Sequence, residues 1–496
     1  MENFIFTFSE VLEWTQARLL AGDQTLPLKG VSTDSRKIGA GELFIALTGP
    51  HYDGNDFVEN ALLKGAGAFL INRISSPFFL DQCREKLIPI AWVEDGLKAI
   101  QSLAHHYRRR FSIPVVGVTG SCGKTTTKEM LATFLEALGP CLKNEGTLNN
   151  HLGVPLTLLK LESFHQSCCV EMGTSSPGEI QKLVELAQPN LGVVLNVGPA
   201  HLKMLGDLEG VLTEKWQMIE GLSGGIGIYN EDDPLLRKRA KNYSMPLMSF
   251  GIYQGGDLRA SRIEFLGNHS TRFALIFHEK ELGAVRVPFI GLHHLYNVLA
   301  AMCVGYKLEI PWEVMMEKAE HLKLPQMRLE MIKESGVLIF NDTYNANPQS
   351  MKAALETLGT LRANGKKIFV CGDMLDLGSE EILWHRNLAK EVIAAQVDLL
   401  IPVGPLANLV GEESRKMGLS KSAIFLTESP EEALQVLLEK TFESDVVLVK
   451  GSRAVGMEKV VRGLMDELRH RKMEKVVEVG FGTQTLLNAK TNLAQS

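Results

Sequence analysis

Three glycines, Gly117, Gly120 and Gly123, run into Lys124, Thr125 and Thr126. This is the phosphate-loop pattern: a glycine-rich turn that ends in Gly-Lys and a hydroxyl residue. Backbone amides of such a turn point at one small volume, and the positive end of the following helix faces the same place. Gly120, Ser121, Cys122, Gly123, Lys124, Thr125 and Thr126 are therefore candidate nucleotide contacts. Lys124 has the reach for β/γ-phosphates, and the Thr125 hydroxyl suits a magnesium ion. The flanks agree. Ile113 to Val118 reads as a buried strand, and Thr126 to Leu138 carries Met130, Leu131, Phe134, Leu135 and Leu138 near helical spacing.

Other polar residues cluster where strands are expected to end. Glu171 closes the apolar run Cys168–Met172, where a carboxylate can hold the magnesium that accompanies ATP, or can serve as a cap or salt bridge. His201, in Asn196-Val-Gly-Pro-Ala-His201, can ligate metal, lie beside transferred phosphate, or hold its own loop. Lys215, between Glu214 and Trp216 on an expected helix, reads as an ordinary solvated residue. Three further loops follow expected strands: Asn341–Pro348, Gly372–Gly378 and Lys450–Arg453. Each can be a plain turn. Together they suggest a polar face that closes over the phosphate loop.

The elements that position these residues fall into three modules. The chain has 496 residues, 45% of them hydrophobic, which suits about three domains at roughly 100–200 residues each. Residues 1–110 alternate short strands and helices: Gly41–Leu47 and Gly67–Ile71 as strands, Phe57–Lys64 and Glu94–His106 as helices. Residues 111–325 contain the phosphate loop, strands at Cys168–Met172 and Leu191–Val197, a helix from Pro177 to Ala187, short alternating segments over Leu247–Pro288, and a helix over Gly291–Gly305. Residues 326–478 carry expected strands at Val337–Phe340, Lys367–Cys371, Asp398–Val403, Ala423–Leu426 and Asp445–Val449 with helices between them, a doubly wound α/β pattern. Residues 479–496 turn polar and weakly periodic, and a frayed tail is expected there.

Composition limits the function classes. The net charge of −6 offers no basic surplus for a nucleic-acid backbone. The seven cysteines show no metal-like pairing, which fits a reducing compartment. No run of 18 or more apolar residues and no basic-then-apolar leader is present, so a cytoplasmic protein without membrane insertion is expected.

Taken together the motifs resemble the Mur ligases of bacterial peptidoglycan synthesis over about residues 25–465. The phosphate loop is general to that family. Asp342-Thr-Tyr-Asn-Ala-Asn-Pro-Gln-Ser350, Gly372-Asp-Met-Leu-Asp-Leu-Gly378, Asn149-Asn150-His-Leu-Gly-Val-Pro155, Asn196–His201 and Lys450-Gly-Ser-Arg453 resemble its dipeptide-adding branch. The resemblance implies a three-domain α/β architecture. Its first domain holds the UDP end of the substrate, its central domain ATP, and its last closes over both. It implies an ATP-dependent ligase that joins D-alanyl-D-alanine to UDP-N-acetylmuramoyl-tripeptide through an acyl phosphate, working as a monomer. Asp34, Ser35 and Arg36 then match a uridine-nucleotide motif. Asn297, Arg328, Asp342 and Asn345 match nucleotide contacts. Asn149, Asn150, Thr174, Ser175, Asn347, Lys450 and Arg453 fall to substrates. Thr125, Glu171, His201 and Lys215 form the magnesium centre, Lys215 matching a lysine that is carbamylated in several members. Lys124, Glu171, His201 and Lys215 would carry the chemistry. Departures fall at Thr147, Lys203, His294 and Asp376, where the family more often has asparagine, an acidic residue, asparagine and glutamate. A sister ligase adding one amino acid and a phosphate-loop switch binding a protein partner are the alternatives. The Tyr344–Pro348 and Met374–Leu377 loops favour the dipeptide-adding branch over the first; the second would turn over nucleotide without a peptide carboxylate.

Overall fold

The computed structural model describes residues 4–267 and 269–472. The tail expected over 479–496 lies outside the described residues.

The first module is built on a five-stranded sheet. Its strands are β1 (Arg18–Ala21), β2 (Val31–Ser32), β3 (Leu43–Ile45), β4 (Ala68–Ile71) and β5 (Ile90–Trp92), in the order β1-β5-β4-β3-β2. Only the β1–β5 pair is antiparallel. Helix α1 (Gly96–Arg108) starts at Asp95, whose carboxylate accepts the amides of Leu97 and Lys98. It buries Ile100, Leu103 and Tyr107 in a core that also contains Val115, Leu158 and Leu161 of the next module. The Tyr107 hydroxyl donates to Leu161 O at 2.7 Å. The first two modules thus share a packed layer.

The central module contains β6 (Val115–Thr119), α2 (Lys124–Leu135), β7 (Cys141–Lys143), β8 (Ser167–Glu171), α3 (Glu179–Ala187), β9 (Leu191–Val194), α4 (Leu202–Leu205) and α5 (Leu208–Glu220). It continues with β10 (Ile226–Asn230), β11 (Leu247–Gly251), β12 (Leu258–Phe265), β13 (Thr271–Phe277), β14 (Lys280–Val287) and α6 (Leu292–Lys307). One nine-stranded sheet runs β14-β13-β12-β11-β10-β9-β6-β8-β7. It is parallel from β7 to β12 and antiparallel beyond, where the alternating 247–288 segments form their meander. Strands β6 and β8 are buried throughout, as a sheet covered on both faces requires. Register fixes the site: Glu171 lies opposite Val118, and Val194 opposite Thr119. The phosphate loop, the segment after Glu171 and the loop to His201 therefore leave the sheet at one edge, the carboxyl edge where α/β ligands bind.

The third module holds β15 (Glu330–Glu334), β16 (Val337–Asp342), α7 (Pro348–Thr360), β17 (Lys367–Gly372), α8 (Glu381–Ala394), β18 (Leu399–Val403) and β19 (Val446–Lys450), in the order β15-β16-β19-β17-β18. Asp342 and Cys371 both lie opposite Lys450, so its three polar loops also share an edge. Two expectations need correction. Ala423–Leu426 is no regular strand: a 3-10 turn over Lys421–Ala423 leaves only bridges at Ile424 and Thr427. The antiparallel edge strand β15, half-exposed along its length, was not expected.

Candidate active site

The phosphate loop is braced from the next strand. Asn196 accepts the Cys122 amide at 2.9 Å through its side chain and the Ser121 amide at 3.1 Å through its carbonyl. Ser121 and Gly198 exchange two hydrogen bonds of 2.9 and 3.0 Å. Gly123 takes φ +82°, and a Cβ there would stand 2.5 Å from Asn297 Oδ1, so glycine is required on both counts. The first amide of α2 taken by a backbone carbonyl is that of Thr127, bonded to Gly123 O. The amides ahead of it have no helix partner. Lys124 Nζ donates back to Gly120 O at 2.8 Å. Burial pushes its pKa down, and Glu171 partly opposes that.

Glu171 is 1% exposed. Its Oε1 accepts from Asn149 Nδ2 at 2.7 Å, while Oε2 has no hydrogen-bond partner. His201 sits in a left-handed turn, φ +56°, at the start of α4. Burial lowers its pKa, and the nearby Lys124 and Lys215 ammoniums push the same way. The expectation that Lys215 is a solvated helix residue fails: it is 2% exposed, and burial with Lys124 close by lowers its pKa to about 7. Its neighbour Glu214 is committed elsewhere, accepting from Thr174 Oγ1 at 3.0 Å and from the amides of Gly178 and Ile180 at 2.6 and 2.8 Å. Thr174 is thus tied into that clamp, and exposed Ser175 donates its amide to Glu179.

The third module lies against this edge. Arg328 stacks over the Tyr344 ring at 4.0 Å and reaches Thr125 Oγ1 at 3.4 Å. Tyr344 donates to Thr147 Oγ1 at 2.8 Å. Asn347 caps α7 and touches Cys122 Sγ and Ser121 O at 3.4 and 3.5 Å. Lys450, 2% exposed, is bonded to Asp342 at 2.7 Å and to Asn345 O at 2.9 Å. A cavity of about 810 Å³ lies between the modules, lined by residues 121–126, Asn297, Arg328, Asp342, Asn345, Asn347 and Lys450.

Sequence reasoning missed the far wall of this cavity. Asp232 accepts the Tyr296 hydroxyl at 2.8 Å and the amides of Ile252, Tyr253 and Gln254, so Tyr296 and Tyr253 are held together at the cavity side. Half-buried His293, its pKa lowered to about 4 by desolvation, lines the same cavity with Glu356 of α7. The only local signal was a tyrosine one position before Asn297.

Other sequence candidates lie away from the cavity. Asp34 and Arg36 form a bidentate pair at 2.9 Å, which holds the Asp34 carboxyl at about 2, and Ser35 beside them is buried. Asn150 caps the helix after it through the amides of Leu152 and Gly153. Arg453, half-exposed, pairs with Glu458 at 3.4 Å. Among the described residues no group of three His, Cys, Asp or Glu side chains could hold a metal ion. No described helix is long and apolar enough to cross a membrane.

Comparison with known proteins bears on this geometry. Residues 27–108, 118–305 and 327–453 match, in turn, the family patterns "Mur ligase family, catalytic domain", "Mur ligase middle domain" and "Mur ligase, glutamate ligase domain". The UDP-N-acetylmuramoyl-tripeptide–D-alanyl-D-alanine ligase of Bacillus subtilis (strain 168) is 35% identical over 447 residues, 90% of this chain and 94% of that protein. A crystal structure of MurF from Acinetobacter baumannii superposes with a TM-score of 0.83 at 31% identity, covering 93% of this chain and 99% of the other. The MurF ligase of Thermotoga maritima in complex with ADP gives 0.78 at 31% identity, covering 89% and 98%.

Proposed function

We propose, from the premise that this chain belongs to the Mur ligase family, that it joins the terminal carboxylate of UDP-N-acetylmuramoyl-tripeptide to the amine of D-alanyl-D-alanine at the expense of ATP. The observation that carries the reading is the relation to the Bacillus subtilis ligase across nearly the full length of both chains. The ADP named with the Thermotoga neighbour supports the nucleotide. The setting is cytoplasmic assembly of peptidoglycan precursors.

ATP occupies the cavity between the modules. Its phosphates take the free amides at the start of α2, and Lys124 leaves Gly120 O for the β/γ-phosphates. Asn297, Arg328, Asp342 and Asn345 line the nucleotide. The tripeptide carboxylate attacks the γ-phosphorus, ADP leaves, and an acyl phosphate results. The dipeptide amine then attacks the acyl carbon, and phosphate leaves through a tetrahedral intermediate. Lys124 offsets charge on the transferring phosphoryl, and closure of the third module keeps water from the acyl phosphate. Asp34, Ser35 and Arg36 belong to the UDP end. Asn149, Asn150, Thr174, Ser175, Asn347, Lys450 and Arg453 serve substrate binding directly or by shaping its loops.

The donor set fits magnesium. Glu171 Oε2 is buried without a partner, and Thr125 and His201 stand on the same sheet edge. One or two protein ligands with substrate phosphates and water are the usual environment of that ion. Bound there, it would neutralise phosphate charge. An ammonium at Lys215 opposes a cation. With a pKa of about 7 it has the free amine needed to take up CO2 as a carbamate, which reverses its sign.

The test is phosphate release with ATP and UDP-N-acetylmuramoyl-tripeptide, with and without D-alanyl-D-alanine, and mass analysis of the product. Release that depends on both, with a pentapeptide product, is expected. Release without the tripeptide, or a product carrying one added amino acid, would replace this reading with a phosphate-loop switch or a single-residue ligase.

A further inference from the structure

The helix that begins at the phosphate loop carries a second lysine, which the proposed reaction does not use. Lys128 lies one turn beyond Lys124 on α2, and its side chain is 0% exposed. A buried ammonium is costly unless its charge and hydrogens are matched. Here they are. Lys128 Nζ donates to Asn144 O at 2.6 Å and to Gly146 O at 3.2 Å, and stands 3.0 Å from Glu129 Oε1. Glu129 Oε2 is in turn paired with Lys143 at 2.5 Å. An aliphatic side chain would cover the same surface without the charge. What the charge adds is a grip on two backbone carbonyls of a segment without regular structure.

That segment surrounds Glu171. Asn144, fully buried, accepts the Glu171 amide at 2.9 Å and donates to the Glu171 carbonyl at 3.0 Å and to Leu148 O at 2.9 Å. Asn149 holds the Glu171 carboxylate at 2.7 Å. Thr147 receives the Tyr344 hydroxyl from the third module. Most of residues 145–148 is otherwise exposed, so little packing fixes the segment from outside.

We infer that Lys128 is a positioning residue: by holding the carbonyls of Asn144 and Gly146 it fixes, against the phosphate-loop helix, the segment that aims the Glu171 carboxylate and receives Tyr344. Lys124 and Lys128, four residues apart on one helix face, then divide the work. The first meets the phosphates, and the second sets where the carboxylate opposite them stands. The kinetic consequence rests on the ligase reading; the structural one does not.

The test uses the full chain with Lys128→Met. In the ligand-free protein, amide hydrogen exchange over residues 144–150 should quicken about tenfold or more, with the rest of the central sheet unchanged. Under ligase assay, kcat should fall about 10–100-fold, the range seen when a partner that orients a ligating group is removed. Because Lys128 acts through Asn149, the Lys128→Met/Asn149→Ala double variant should be no more than about twofold below the worse single variant. Unchanged exchange at 144–150, exchange raised evenly over the whole module, or multiplicative losses in the double variant would each overturn the inference. Should the methionine variant not fold, Lys128→Gln, which keeps an N–H donor on a shorter stem, should show the same localised exchange at smaller amplitude; its absence would overturn the inference equally. Failure of the wild type to form any ligation product would sink the proposed function, while the exchange result would still decide the role of Lys128.

Discussion

Replacing Lys215 with methionine should stabilise the protein while abolishing its activity. Burial and the nearby Lys124 ammonium bring Lys215 down from 10.5 to about 7. In the unfolded chain the same amine keeps its proton to about pH 10.4. Between these values the unfolded state binds the extra proton, so stability rises with pH. Below pH 7 both states are protonated and the folded one carries the full cost of the buried ammonium, about 5 kcal/mol at 1.36 kcal/mol per pH unit. Methionine has no such cost and fills a similar volume. Replacement of buried charge by apolar side chains of like size yields about 1–4 kcal/mol in practice. Urea unfolding of wild type and Lys215→Met at pH 6.5, 8 and 9.5, in CO2-depleted buffer, reads the difference. The advantage of the variant should be largest at pH 6.5 and shrink as pH rises. An advantage equal at all three, or a loss at pH 6.5, would refute the electrostatic account. The free amine also predicts chemistry. With 13C-bicarbonate at pH 8 the wild type should show a carbamate carbon resonance that Lys215→Met lacks, and ligase activity should drop on CO2 removal and return with bicarbonate.

Lys124→Ala should lower kcat at least about 100-fold with little change in thermal midpoint, since its side chain makes a single hydrogen bond among the described residues, to a carbonyl of its own loop; near-normal turnover would remove the phosphate-loop assignment. Glu171→Ala and His201→Ala should each raise the magnesium concentration for half-maximal activity, and superimposable titrations in both would exclude them as ligands. Tyr344→Phe removes one 2.8 Å hydrogen bond between modules but keeps the stack on Arg328, so a few-fold rise in KM for ATP is expected; an unchanged KM would place closure elsewhere. Small-angle scattering should give a smaller radius of gyration with ATP analogue and UDP-linked peptide together than with neither, and an identical radius would reject ligand-driven closure.

The sequence was most legible where function is contiguous. The strand, turn and helix around Gly120 to Thr126 are legible because they stand in one stretch, and the three loops of the third module are visible as polar punctuation after apolar runs. Contacts made across the fold were not. Nothing local links Asn149 to Glu171, or Asp232 to Tyr296 sixty-four residues later. Lys215 looked solvated because a helix places every fourth residue on one face without saying what covers it, and here α5 buries it within electrostatic reach of Lys124. Ala423–Leu426 has strand composition, but beside the edge strand it makes only scattered backbone bonds, Phe425 to Leu400 O and Thr427 to Pro402 O, and two isolated bridges, so no continuous ladder forms. Conversely, β15 contains three charged residues in five, which an edge strand with one wet face tolerates.

The contacts between the central and third modules bear on what drives closure. Those from Asn347 and Arg328 to the phosphate loop are 3.4–3.5 Å long, at the weak end of hydrogen bonding, and one of them ends on a thiol. Among the described residues, only Tyr344 makes a short bond across the gap, to Thr147. The cleft they surround gathers Lys124 and Arg328, while Lys450 is already neutralised by Asp342. Cations drawn from two modules into one cavity repel each other until an anion is shared between them. A nucleotide triphosphate is such an anion, and it can bond the loop amides of one module and the arginine of the other at once. The energy of closure would then come from the ligand rather than from the protein–protein contacts. The residues proposed to bind ATP would then also hold the third module in place, so an empty site would leave it free to open and admit the peptide.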